Sequence, residues 1–230
     1  MSSQHPFVKR LPFFALALCA CAVLLTAFAA RRVAAGHDAS ASAVRPNGKI
    51  AYVYQDLYTI NPDGTGQAKI VDPDTEVRYP AWSPDASKIA FSRNVSPVQN
   101  LDIFVANADG TNAVRLTNAG NAPTGTNTNY GATWSPDGAK IAFTRASESR
   151  SDVFLMDADG TGVKKLTGKS GDGFSPDFSP DGKQIVFASN DEGQTTHIHV
   201  MGADGTDVRR LTKGVGVHDD APDWRPLTHQ

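Results

Sequence analysis

Past residue 35 this 230-residue chain contains no cysteine; its only two, Cys19 and Cys21, lie inside an N-terminal apolar run. The remainder can therefore hold neither a disulfide framework nor a thiolate metal site. It also lacks an H-E-x-x-H pair, a phosphate-cradling glycine loop and a nucleophile elbow, since "GFSPD" around Ser175 departs from G-x-S-x-G. Basic charge is in short supply. Setting aside residues 1–35 removes Lys9, Arg10, Arg31 and Arg32 from 22 Lys and Arg, which leaves 18 against 24 Asp and Glu, a net of −6. A mildly acidic domain without a basic face is a poor nucleic-acid binder, and no nucleic acid is expected as a partner.

There is one long hydrophobic run. Leu11 to Ala30 carries no charge over 20 residues and follows Lys9 and Arg10. A basic start, an apolar core and small-residue sites ending at Ala29 and Ala35 are the parts of a secretory signal. The same length also spans a bilayer as a helix. Residues 1–35 are therefore read as a signal peptide or signal anchor, the only expected membrane contact, and 36–47 as a flexible tether. The protein is expected outside the cytoplasm: periplasmic, at the cell surface or secreted.

What the sequence has in plenty is repetition. "KIAF"-type elements stand at Lys49–Tyr52, Lys88–Phe91, Lys140–Phe143 and Gln184–Phe187. After them come "LYTINPDGT", "IFVANADGT", "VFLMDADGT" and "IHVMGADGT", then "QAKIV", "AVRLT", "VKKLT" and "VRRLT". A leading element ends at Trp82, Trp134 and Phe178. Such self-similarity marks stacked supersecondary units. The elements are short, rich in Val, Ile, Phe and Tyr, and bounded by Pro, Asp and Gly, which makes them strands. "SPDG" and "ADGT" are tight turns, with Gly at the left-handed position. One unit is thus four antiparallel strands, A to D.

Both faces of these strands are apolar, so each sheet is covered on both sides. Strand D carries a basic column, Lys69, Arg115, Lys165 and Arg210, and charge on an outer strand blunts edge pairing. Four such sheets are propeller blades. The first copy lacks its strand A, while "APDWRP" near Trp224 is a strand A with nothing after it. The expected fold is all-β: a propeller of four four-stranded antiparallel blades over residues 48–226. In it the N- and C-terminal strands share one blade, an apolar N-terminal helix precedes, and a tail follows at 227–230. A ring that a second chain completes is the alternative, so the chain is expected as a monomer, or as a dimer if four blades do not close.

"WSPDGAKIAF" followed by "VFLMDADGTGVKKLT" resembles the TolB-type propeller repeat, also called the WD40-like PD40 repeat, over residues 45–226. The resemblance implies an exported, non-catalytic propeller that binds partners, here an envelope protein or glycan. The protein that names the family binds an outer-membrane lipoprotein and has six blades behind a separate α/β domain, for which this chain leaves no room.

Turns A–B and C–D are short and nearly identical, whereas the B–C and D–A connections vary. Variable loops on a rigid scaffold carry binding residues. The expected binding face is the channel mouth, at Arg78, Tyr79, Tyr130, Phe174, Asp219 and Asp220. His197, His218, Asp219 and Asp220 are candidate metal ligands there, which would make the chain a metal-assisted polysaccharide lyase or hydrolase, the alternative function. Against this, His197 and His199 replace an Asp and an aromatic of the other copies, as structural substitutions do. No cofactor is expected. The "DADGT" turns have the start of a calcium loop but no distant acidic closer, which favours plain turns. Asp56, Asp102 and Asp152 open strand C and are expected to accept backbone N–H bonds.

Overall fold

The structure, a computed structural model, describes residues 48–71, 76–95, 100–118, 127–147, 149–168, 172–190, 195–213 and 219–224. The expected signal segment, apolar helix, tether and tail lie outside them. All regular elements among the described residues are strands. The first sheet holds β1 (Ile50–Tyr54), β2 (Asp56–Ile60) and β3 (Ala68–Val71); the second holds β4 (Val77–Trp82), β5 (Lys88–Asn94), β6 (Leu101–Asn107) and β7 (Val114–Arg115). The third runs β8 (Thr128–Trp134), β9 (Lys140–Ala146), β10 (Ser151–Asp157) and β11 (Lys164–Lys165). In the fourth are β12 (Asp172–Phe178), β13 (Gln184–Asn190), β14 (His197–Gly202) and β15 (Arg209–Arg210). Every neighbouring pair is antiparallel.

The turns form as their residues dictate. In "SPDG" the serine hydroxyl closes the loop: Lys88, Lys140 and Gln184 donate their backbone N–H to Ser83, Ser135 and Ser179 Oγ, each at 2.9 Å. The following Asp accepts from the same hydroxyl and from a backbone N–H two residues on. In "DGT" the Asp accepts from the Thr N–H and hydroxyl together. Gly110 answers two demands: its φ is +85°, and a Cβ there would lie 1.4 Å from the Ile70 carbonyl oxygen of the first sheet. Only glycine meets both.

Alternation of large and small side chains then builds a core at each junction. Ile89 and Phe91 of β5, with Val77 of β4, pack against Leu57 of the first sheet, while Ala90 faces the third with Trp134, Ile141 and Phe143. Ala142 in turn faces Phe178, Ile185 and Phe187. Strands B and C of each sheet are tied by a ring pair directly across the ladder: Tyr52–Tyr58, Phe91–Phe104, Phe143–Phe154 and Phe187–His199, with centroids 5.5 to 5.8 Å apart. His199 therefore fills an aromatic place in the core, the structural role its position in the repeat implied.

Among the described residues the first sheet has three strands, and no C-terminal strand pairs with β1 as the expected closure requires. Ala221–Trp224 lies beside β12 instead, where the Trp224 N–H donates to Asp177 Oδ2 at 2.8 Å. The sheets contact one another in sequence order, first with second, second with third and third with fourth; among the described strands the fourth does not return to the first. The tail is thus joined to the preceding innermost strand, as Trp134 is to Ala81 and Thr133 to Asp177 between the other neighbouring sheets.

Candidate binding face

The innermost strands β4, β8 and β12 share a distortion. Each slips register against its neighbour midway, between Arg78 and Ala81, Tyr130 and Thr133, and Phe174 and Asp177. At the slip a residue enters left-handed backbone: Tyr79 (φ 53°), Gly131 (64°) and Ser175 (51°), with Ala221 (48°) at the same place in the tail. Bulges bend a strand and re-aim its side chains. Here three successive strands and the tail segment meet at one cavity of about 360 Å³, lined by Tyr79, Tyr130, Ser175, Asp177 and Asp223 among others.

Two rings dominate its rim. Tyr79 and Tyr130 lie 5.5 Å apart at a 34° tilt, and Tyr79 is 47% exposed. Burial pushes the Tyr130 hydroxyl above its ordinary pKa, against a hydrogen bond with Ser151, so the ring presents a neutral phenol. Asp177 sits deeper. Its Oδ1 accepts from Thr133 Oγ1 at 3.0 Å and its Oδ2 from the Trp224 N–H. Burial raises its pKa, those two bonds oppose the rise, and nearby Asp223 adds to it.

Of the residues singled out in the sequence, Tyr79 and Tyr130 are brought together at this cavity. Arg78 stands outside its lining, bonded to Glu76 Oε1 through Nε at 2.8 Å. Phe174 is half-buried opposite Ala188 of β13. Asp219 donates its N–H to the Thr196 carbonyl at 3.0 Å, and Asp220 is exposed. His197 lies 3.7 Å from Asp219 but is 1% exposed, and its Nε2 meets Thr195 Oγ1; His218 lies outside the described residues. Among the described residues no three His, Cys, Asp or Glu side chains are grouped to hold a metal ion. The sequence reading missed Ser175, Asp177 and Asp223. Laying Ala81, Thr133, Asp177 and Asp223 in one column would have marked the last two, where acid replaces small residues.

Behind the face, strands C and D are clamped together by charge. Asp56 meets Lys69 at 2.7 Å and Asp152 meets Lys165 at 2.6 Å. Fully buried Asp102 receives Arg115 Nε at 2.9 Å, Thr117 Oγ1 at 2.7 Å and Asn129 Nδ2 at 2.8 Å. These aspartates were expected to accept backbone N–H bonds; each also meets the basic residue thirteen positions on, in strand D. Sequence spacing could not show this, because residues 13 apart meet only once the C–D hairpin has formed. Asn129 passes the contact on to Arg145 at 2.8 Å, which lies over the Phe154 ring at 4.4 Å.

Four antiparallel sheets packed face to face in series, with repeated turns and bulged inner strands, define a β-propeller fold. The chain belongs to the PD40 family, the TolB beta propeller domain, whose family model matches residues 49–229. It is 33% identical over 136 residues to a Protein TolB homolog of Chlorobium luteolum (59% of this chain, 29% of that one). With the Tol-Pal system protein TolB of Anaeromyxobacter sp. (strain K) it shares 36% over 113 residues (49% and 24%). The crystal structure of TolB from Acinetobacter baumannii superposes with a TM-score of 0.59 at 27% identity, covering 72% of this chain and 42% of that one. The chain thus spans less than half the length of each of these three relatives.

Proposed function

We propose that this chain is an exported binding protein that engages an envelope protein through the mouth of the cavity bounded by Tyr79 and Tyr130. The observation that carries the reading is that aromatic pair, held at 5.5 Å by bulged strands of two different sheets, with one ring largely open to solvent. Exposed tyrosines supply large contact area at little entropic cost and keep a polar handle. The family, and relatives whose names place them in the Tol-Pal system, support an envelope partner. The apolar run behind Lys9 and Arg10 supports export, as a cleaved signal or as an anchor. A glycan is the other partner that such an aromatic rim would take.

The lyase or hydrolase reading rests on His197, His218, Asp219 and Asp220; of these His197 is sealed from any substrate and His218 lies outside the described residues. Binding is the stronger reading. A pull-down from envelope extract tests it, comparing wild type with a Tyr79→Ala, Tyr130→Ala, Asp220→Ala variant of matched melting temperature. Loss of one partner is expected; equal recovery of every partner by both sinks the proposal.

A further inference from the structure

The cavity whose rim carries Tyr79 and Tyr130 is rich in hydrogen-bond acceptors and poor in donors. Asp177 and Asp223 line it, and among the described residues no Lys, Arg, His, Asn or Gln does. Pro80, Pro176 and Pro222 recur at one place in β4, β12 and the tail segment and also line it. Proline offers a carbonyl but no N–H. Tyrosine and serine hydroxyls are the side-chain donors that remain, and that of Tyr130 already bonds with Ser151.

Its carboxylates also differ from those of strand C. Asp56, Asp102 and Asp152 each meet a basic side chain. The donors to Asp177 are neutral, the Thr133 hydroxyl and the Trp224 N–H, one to each oxygen. Each oxygen keeps a further lone pair. Asp223 is exposed, and its negative charge adds to the burial that holds the Asp177 pKa above the usual 3.8. Arg78, the basic residue beside Tyr79 in sequence, stands outside the lining and is bonded to Glu76. The cavity thus holds two acids close enough to oppose each other and, among the described residues, no cation to balance them.

The rings complete this chemistry. A ring face is negative and attracts a cation set over it, more so where water is partly excluded. Tyr79 presents such a face with 47% exposure, from left-handed backbone at φ 53° where the next innermost strand has Gly131. Bulky residues rarely accept that conformation. A volume of about 360 Å³ falls within the usual span of ligand sites, about 300–1,000 Å³. A sugar brings as many acceptors as donors and would leave its acceptors short of partners here. Lysine and arginine side chains bring donors alone.

We propose that this cavity receives a basic side chain, the ammonium of a lysine or the guanidinium of an arginine, projecting from an exposed segment of the partner protein. Asp177 and Asp223 accept its N–H bonds, and Tyr79 and Tyr130 turn ring faces to its charge. The inference rests on the reading of this mouth as the binding face and names what enters it. Exposed Asp220 on the same segment adds to the negative rim that draws such a chain in.

The test uses the full-length chain at pH 7 and three end-capped peptides, Gly-Ser-Xaa-Ser-Gly with arginine, lysine or norleucine at the centre, titrated by NMR. The arginine and lysine peptides are expected to bind about tenfold more tightly than the norleucine peptide. Their affinity should fall several-fold between about 50 and 300 mM NaCl. Asp223→Asn and Tyr79→Leu, both at exposed positions, should each weaken the basic peptides about fivefold, while Tyr79→Phe keeps the ring and binds as wild type. Equal binding of all three peptides overturns the proposal, as does Asp223→Asn that binds them unchanged. So does the absence of binding up to about 10 mM, or a cello-oligosaccharide that binds where the basic peptides do not. If Tyr79→Leu lowers the melting temperature, Asp223→Asn decides. In the pull-down, a partner lost from the triple alanine variant but fully recovered by Asp223→Asn would keep the tyrosine mouth and remove the basic side chain from it.

Discussion

The indole N–H of Trp134 ends 3.1 Å from the backbone carbonyl of Ala81, a bond from one sheet to the innermost strand of the sheet before it. It ties neighbouring blades, as the Thr133–Asp177 and Asn129–Asp102 bonds do at 3.0 and 2.8 Å. Trp134→Phe keeps most of the ring and removes the bond, leaving the Ala81 carbonyl without it. A loss of about 1 kcal/mol is expected in urea unfolding. Trp134→Ala also opens the core among Ile141, Phe143 and Met156 and is expected to cost about 3–5 kcal/mol.

Gly110 and Gly64 separate backbone strain from close approach. Their φ angles are +85° and +83°, but Gly64 has nothing within 4 Å of a built Cβ, while Gly110 would clash with Ile70. Gly64→Ala is expected to cost about 1 kcal/mol, the left-handed penalty alone. Gly110→Ala must also push the first two sheets apart, so its loss in thermal unfolding should clearly exceed that of Gly64→Ala. Equal losses would show that the junction yields freely.

Asp102 is the strongest of the clamps, because burial leaves its charge no water to fall back on. Asp102→Asn leaves Arg115 and Thr117 with a weaker acceptor and is expected to lower stability by about 2 kcal/mol. That is below the 3–5 of a sealed pair, because Arg115 keeps 39% of its side chain exposed. The open pair of Asp56 with Lys69 should give only about 0.5 kcal/mol in Asp56→Asn. Chemical denaturation of both variants checks the ratio.

The seven turn aspartates set the acid limit. Asp63, Asp85, Asp109, Asp137, Asp159, Asp181 and Asp204 are all held below the usual 3.8, first by the hydroxyl of a neighbouring Ser or Thr and next by a backbone N–H. Asp85 is lowered to about 2. Folded pKa values below the unfolded one mean stability that is complete above about pH 4 and lost as the pH falls through the folded values. Asp177 has the opposite sign: its pKa is raised by burial, so its contribution is present in acid and fades as the pH rises through that value. Melting temperature should therefore fall between about pH 4 and pH 2, less steeply in Asp85→Asn. A flat profile there would contradict the turn geometry.

Much of this protein was legible in its sequence because its strongest signals are local. "SPDG" and "ADGT" close hairpins within a few residues, and the alternation of Ile, Ala and Phe settles which face of a strand takes a large neighbour. Repetition then forces like sheets to stack. Tyr79 and Tyr130 could be named because they flank the variable connections of a repeated strand. The partners of Asp102, the meeting of Tyr79 with Tyr130 across two sheets, and the place of Trp224 could not. Each depends on how far one sheet is turned against the next, an angle that no single repeat encodes. The sequence alone determined the blade and its order along the chain. Only the tertiary structure decided that Ala221–Trp224 lies beside β12 and that, among the described residues, β1 pairs with β2 alone, because the packing of Ile, Phe and Trp between sheets, summed over three junctions, sets where the C-terminal segment arrives.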